Sequence, residues 1–214
     1  MNCVIYGEEK MLMEQKLAAL KKQYRIHEED MNVITYWCHE TSISEMIEDA
    51  LTPPFLTEYK MIIMKNPLFL TTQKQKDVNE EDIQMLMDYL SKENPTTIFV
   101  IYHDQKNFDE RKKIVKKLRK DLRFIEVGKL DHHQLFKTTH QAIKKRGCEI
   151  DDDALELLLS RMPNDLLEIS QEVNKLCLYS QHITRETIDI MVAKQVEENV
   201  FELTKAILNK ETGK

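Results

Sequence analysis

The stretch LTPPFLTEYKMIIMKN (residues 51–66) contains the two patterns that decide the fold and the surface of this chain. Residues 60–64 carry the apolar run Met-Ile-Ile-Met, which is typical of a strand covered on both faces of a sheet. Just before it, two prolines precede Phe55 and Leu56. Because proline fixes φ and lacks a backbone donor, the chain turns here and carries both apolar side chains on a short, stiff connection.

The apolar pair Phe55 and Leu56 has two interpretations. In the first, the side chains fold back and cap the core of the chain's own sheet. In the second, they protrude as a hydrophobic plug that enters a pocket on another protein. The residue pattern leaves both interpretations open, and much of the function depends on which is true.

Strands and helices alternate through the first 130 residues. The spacing of apolar residues predicts helices at 11–20, 42–51, 80–92 and 109–120. This alternation predicts a parallel α/β sheet with helices on both sides. The predicted strands are 2–6, 33–37, 60–64, 97–102 and 124–127.

The pattern changes after Lys129. Helical periodicity continues at 131–145, 151–160, 164–180 and 184–194, with no convincing strand between these segments. We therefore expect an α/β domain at 1–130 and a small all-helical domain at 131–196. Residues 199–209 begin one more helix, so 197–214 is interpreted as the start of a further domain that this chain lacks.

Composition limits the possible classes of protein. The net charge of −6 argues against a uniformly basic nucleic-acid binder, although a local basic patch is compatible with it. The four cysteines form no CxxC pair, which favours free thiols in a reducing compartment. A signal peptide is not recognisable, and no apolar stretch approaches the ~20 residues that span a bilayer. The chain is predicted to be soluble and cytoplasmic, with no membrane partner.

A parallel α/β domain followed by a small helical domain is the layout of AAA+ ATPases. Such an enzyme needs a GxxxxGK[ST] phosphate loop after its first strand. Here Gly7 is followed by Glu8, Glu9 and Lys10, which places carboxylates where phosphate groups approach. We therefore predict no nucleotide and no other cofactor. An ATP-dependent AAA+ enzyme with a degenerate loop remains the alternative function.

Other catalytic or metal sites are weaker interpretations. His132, His133 and His140 lack a carboxylate or cysteine at the spacing of a metal site, so solvated histidines are favoured. The acidic run at 151–153 is explained by a helix start. We predict no catalytic residue and no bound metal.

The basic run at 111–120 has a functional and a structural interpretation. It could contact nucleic-acid phosphates, or it could be the solvated face of a helix that packs on the sheet. Asp109 and Glu110 at its start, and the absence of interleaved aromatic residues, favour the solvated face. A DNA-binding module remains a third hypothesis.

Several stretches, in this order and spacing, resemble the delta-subunit family of the bacterial DNA polymerase III clamp loader. They are IYGEEKMLMEQKL (5–17), LTPPFLTEYKMIIMKN (51–66), PTTIFVIYHDQKNFDERKKIVKKLRK (95–120), IDDDALELLLSRMPNDLLEISQEVNKLCLYSQHITRETI (150–188) and NVFELTKAIL (199–208).

This resemblance implies an AAA+-like fold without ATP hydrolysis, in a non-catalytic subunit that binds and opens the ring-shaped sliding clamp during DNA replication. The family's hydrophobic plug maps onto Pro54, Phe55 and Leu56, and which of these side chains enters the clamp pocket stays open. The implied partners are the sliding clamp (the beta subunit) and, through the collar domain that this chain lacks, the other loader subunits. Contact with DNA is expected to be weak or to occur through the complex.

Overall fold

The computed structural model of the chain describes residues 2–27, 31–73, 78–92 and 94–193. The chain divides into two compact units, and the boundary lies between Gly128 and Lys129. Within the described residues, no helix is both long enough and apolar enough to cross a membrane.

The first unit is built on a five-stranded parallel sheet with the strand order β2-β3-β4-β1-β5. β3 and β4 are almost entirely buried, as expected for continuous apolar runs in a parallel sheet. The strands are β1 (Cys3–Gly7), β2 (Val33–Trp37), β3 (Lys60–Lys65), β4 (Thr97–His103) and β5 (Arg123–Val127).

Helices cover both faces of this sheet. One core cluster joins Met61 and Ile63 of β3 to α1 (Lys10–Gln23). The other joins Ile62 and Met64 to three helices, because successive side chains of a strand point to opposite faces. Those helices are α2 (Ile43–Leu51), α3 (Glu80–Leu90) and α4 (Lys113–Asp121). The predicted α/β architecture is confirmed.

The start of α4 was predicted four residues too early. Asp109 is buried; its backbone N–H donates to the carbonyl oxygen of Leu70 at 2.9 Å, and its carboxylate accepts two hydrogen bonds from the Arg111 guanidinium. These contacts hold the chain in a turn, so the helix begins only at Lys113.

In its described part, residues 129–193, the second unit contains four helices and one feature that the sequence did not predict. Glu149 and Ile150 (β6) pair in parallel with His182 and Ile183 (β7), so the unit is not purely helical. A strand of two residues is too short to produce a recognisable pattern. The helices are α5 (His132–Lys145), α6 (Asp152–Arg161), α7 (Leu166–Tyr179) and α8 (Arg185–Met191). The predicted helix at 199–209 lies outside the described residues.

Candidate functional site

The connection from α2 to β3, residues 52–59, projects two apolar side chains into solvent. Phe55 is 59% exposed and Leu56 is 89% exposed, while Pro54 between α2 and this pair is partly buried. The interpretation that Phe55 and Leu56 cap the chain's own core is therefore wrong. We call residues 52–59 the plug loop.

Asn32 fixes the backbone of the plug loop at Phe55. Its side-chain Nδ2 donates to the Phe55 carbonyl oxygen at 2.8 Å, and its Oδ1 accepts from the Phe55 N–H at 2.6 Å. Asn32 is itself buried, and its own carbonyl oxygen accepts from the Met61 N–H at the start of β3. Phe55 is thus held by a residue anchored to the sheet, although its ring is exposed.

Leu56, next to this bracket, adopts a backbone conformation that is unusual for its residue type. Its φ is +58°, in the left-handed region that side chains other than glycine rarely occupy. For an L-residue this conformation costs about 1–2 kcal/mol. The turn that presents Leu56 to solvent is therefore imposed by its surroundings.

The two ends of the plug loop are joined by Lys60. This lysine is buried at the start of β3, and its ammonium donates to the carbonyl oxygen of Asp49 at 2.8 Å and to Thr52 Oγ1 at 2.6 Å. It also forms an ion pair with the Asp49 carboxylate. Lys60 thereby joins the last turn of α2 to the first residue of β3. Between these two ends, Asn32 fixes the backbone of the loop at Phe55.

The Asp49 carboxylate is the centre of this polar cluster. Partial burial raises its pKa, but the hydrogen bonds from Lys60 and from the Tyr36 hydroxyl outweigh that effect and lower the pKa below its ordinary value. Burial, together with the hydrogen bond to Asp49, raises the pKa of Tyr36 to about 12. The cluster is therefore ionised at Asp49 and neutral at Tyr36 near neutral pH.

Two further exposed apolar side chains adjoin the plug loop, or its anchor Asn32, in sequence. Leu51, which ends α2 immediately before it, is 64% exposed, and Met31, adjacent in sequence to Asn32, is 73% exposed. Met31 and Asn32 could not be identified from the sequence, because nothing in a local pattern links them to a loop more than 20 residues away. Leu51 was predicted only as a helix position.

Charged side chains lie near the carboxyl end of β1, which is at the opposite end of the strands from the plug loop. Lys106 lies 3.4 Å from a Glu8 carboxylate oxygen and 3.6 Å from one of Glu126. Gly7 has a φ of +151°, and a Cβ there would lie 1.8 Å from the Val127 carbonyl oxygen. The glycine is therefore explained by the close approach of β1 to β5. Carboxylates at this position do not favour the alternative of an ATP-dependent enzyme.

The other candidate residues are not brought together into a site. His132 pairs with Glu156 at 3.2 Å, and among the described residues no group of three or more histidine, cysteine or acidic side chains could hold a metal ion. The Asp151 carboxylate accepts a hydrogen bond from the His182 ring at 2.9 Å, beside the start of α6. None of the four cysteines forms a disulfide bond.

The chain is similar in sequence to proteins of one family. The sequence model of the family described as DNA polymerase III, delta subunit, matches residues 4–128, and a second family model, described as a middle domain, matches residues 132–190. A relative named DNA polymerase III subunit delta, from Bacillus subtilis, is 31% identical over 96% of this chain and 60% of its own length. A probable delta subunit from Aquifex aeolicus is 25% identical over 99% of this chain and 60% of its own length.

Solved structures agree with this result. The Bacillus subtilis DNA clamp loader delta protein (YqeN) superposes with a TM-score of 0.69 at 30% identity, over 98% of this chain and 63% of that one. The Thermotoga maritima RuvB Holliday junction branch migration motor matches with a TM-score of 0.57 at 11% identity, over 89% of this chain and 62% of that one, which shows a shared AAA+-like fold and nothing further. The chain spans about three-fifths of the length of the delta subunits that it matches.

Proposed function

The chain belongs to the DNA polymerase III delta-subunit family, and on that premise we propose that it binds the sliding clamp through its plug loop and opens the clamp ring for loading onto DNA. In this role it acts as a non-catalytic subunit of the clamp loader. Its partners are the sliding clamp and the other loader subunits, the latter reached through a collar domain that would follow residue 196. We place it in the cytoplasm, where replication takes place.

One observation carries this proposal, namely an exposed apolar pair on a rigid support. Exposed apolar side chains are common singly, but Phe55 and Leu56 are adjacent, and their backbone is fixed by Asn32. Such pre-organisation reduces the conformational entropy lost on binding. Two apolar side chains that enter a pocket together form a small hot spot.

The expected binding energy follows from the buried area. Full burial of a Phe or Leu side chain contributes roughly 1.5–3 kcal/mol, so the pair contributes about 3–6 kcal/mol. The double variant Phe55→Ala/Leu56→Ala should therefore raise the dissociation constant for the cognate sliding clamp about 10²- to 10⁴-fold. Surface plasmon resonance with immobilised clamp measures this directly.

Leu167 and Leu178 of α7 provide a matched control. They are 56% and 90% exposed, nearly the same as Phe55 and Leu56, and they lie in the other unit. Leu167→Ala/Leu178→Ala should bind the clamp like the wild type. Both double variants should melt within a few degrees of the wild type, since all four side chains are exposed. Unfolding of the Phe55/Leu56 variant, or equal loss of binding in the control, would refute the plug.

A further inference from the structure

Helix α4 presents a row of four lysines, none of which forms an ion pair among the residues that the structure describes. Lys113, Lys116 and Lys120 are exposed and Lys117 is partly exposed, at helical spacings of three and four residues. Among the residues that the structure describes, none of the four ammonium groups has a carboxylate within ion-pair distance, although other lysines and arginines form ten ion pairs with carboxylates. We call Lys113, Lys116, Lys117 and Lys120 the α4 lysine row.

The carboxylates beside this row are already paired with other cations. Glu110 binds Arg119 at 2.8 Å, and the Arg119 guanidinium also stacks on the Phe124 ring at 4.3 Å. Asp109 holds Arg111 through two hydrogen bonds. The remaining acidic groups on α4 and on the helix packed against it are Asp121, at the end of α4, and Glu80, Glu81, Asp82 and Asp88 of α3. The positive charge of the row is therefore only partly offset.

The row is fixed in space by the core. Ile114, Val115 and Leu118 are at most 2% exposed and pack against the sheet, which forces the lysines onto the outer face. From Lys113 to Lys120 the row extends about 10 Å, a length over which duplex DNA carries about six phosphate charges. The chain as a whole has a net charge of −6, so the α4 lysine row is a local patch of positive charge.

We propose that the α4 lysine row binds the phosphate backbone of duplex DNA, without reading its sequence. Lysine is depleted at protein–protein interfaces, and the apolar residues of α4 are all buried, so an acidic protein would find no hydrophobic contact here. Phosphate contacts need only positioned cations. The row also has no exposed aromatic side chain for base stacking, which favours the duplex over a single strand. This proposal does not depend on the plug loop.

Fluorescence anisotropy of a labelled 20-base-pair duplex, titrated with the 214-residue chain, tests the proposal. If four phosphates are neutralised, the logarithm of the binding constant falls with that of the salt concentration at a slope of about −3.6. Affinity then decreases about 150-fold between 50 and 200 mM salt. Replacing the row by glutamine, which preserves helix propensity, should abolish most of the binding and flatten the salt dependence.

A charge-matched control separates a local site from net charge. Lys16, Lys22, Lys144 and Lys145 are exposed lysines of α1 and α5, and their replacement by glutamine changes the net charge by the same amount. This control should keep the affinity and the salt slope of the wild type. The proposal is overturned if the wild type does not bind the duplex at 50 mM salt, if the control loses as much affinity as the α4 variant, or if a single strand binds more tightly than the duplex.

Discussion

Asn32 holds Phe55 from a distance of 23 residues in sequence, with one hydrogen bond to its carbonyl oxygen and one from its N–H. A side-chain amide is suited to this task, because it offers a donor and an acceptor side by side. The aromatic ring itself stays exposed. The order of the plug loop therefore depends on a residue that need not touch the clamp.

The first prediction concerns this bracket. Asn32→Ala removes both hydrogen bonds and should lower the free energy of unfolding by about 1–3 kcal/mol. It should also weaken clamp binding roughly tenfold, because the loop must then be ordered on binding. Urea unfolding and clamp-binding titrations measure the two effects. Asn164→Ala, which removes a side-chain bond to the Leu130 carbonyl oxygen in the second unit, should reduce stability without affecting clamp binding.

The second prediction concerns the backbone of Leu56. Leu56→Gly relieves the cost of the positive φ but makes the unfolded chain more flexible, so the free energy of unfolding should stay within about 1 kcal/mol of the wild type. Leu56→Val places a β-branched residue in the same conformation and should cost about 1 kcal/mol more. Both should bind the clamp less tightly, since both shorten the side chain. Equal stability of the two variants would contradict the strain at this position.

The third prediction concerns Gly7. In Gly7→Ala the new methyl group meets the Val127 carbonyl oxygen, so β1 and β5 must separate. We expect a loss of at least about 3 kcal/mol in the free energy of unfolding. Gly147→Ala is the control, because Gly147 also has a positive φ (+77°) but nothing lies within 4 Å of its added Cβ. It should lose only about 1–2 kcal/mol. A smaller loss at position 7 than at 147 would contradict the close approach.

The fourth prediction concerns pH. The hydrogen bonds from Arg111 lower the pKa of Asp109 from 3.8 to about 2. The unfolded chain therefore binds a proton more readily than the folded one, and stability falls as the pH decreases through this interval. The contribution of Asp109 is complete above its unfolded pKa and is lost between about pH 4 and pH 2. Urea unfolding at a series of pH values should show this decline as larger in the wild type than in Asp109→Asn.

Local patterns predicted those parts of the molecule that local chemistry determines. The apolar run at 61–64 identified β3, since burial on both faces requires such a run. Pro53 and Pro54 located the turn. The exposure of Phe55 could not be predicted, because an apolar side chain on a turn can either pack against the core or protrude into solvent. The role of Asn32 depends on tertiary structure alone.

The predictions of helix and strand boundaries are wrong where a long-range contact competes with the periodicity of the sequence. Helical spacing continues through 109–112, but the bond from Asp109 to the Leu70 carbonyl oxygen prevents a helix there. The parallel pair of Ile150 with Ile183 has the same origin, since the partner of this two-residue strand is more than 30 residues away in the sequence. The positive φ of Leu56 could not be predicted either. Residues 53–59 include no glycine or asparagine, the residue types that would signal this conformation.

β3 connects the plug loop mechanically to the opposite edge of the sheet. The strand is paired with β4 from Lys60 and with β2 from Met61, in both cases up to Lys65, whose ammonium contacts Glu14 of α1. Its ends are about 17 Å apart. A strand tied on both sides cannot bend or slide by itself, so a force applied near Lys65 reaches the loop as a displacement of the whole sheet. Phe55 and Leu56 thus lie at the tip of a stiff lever, whose other end is at the edge of the sheet where β1 ends.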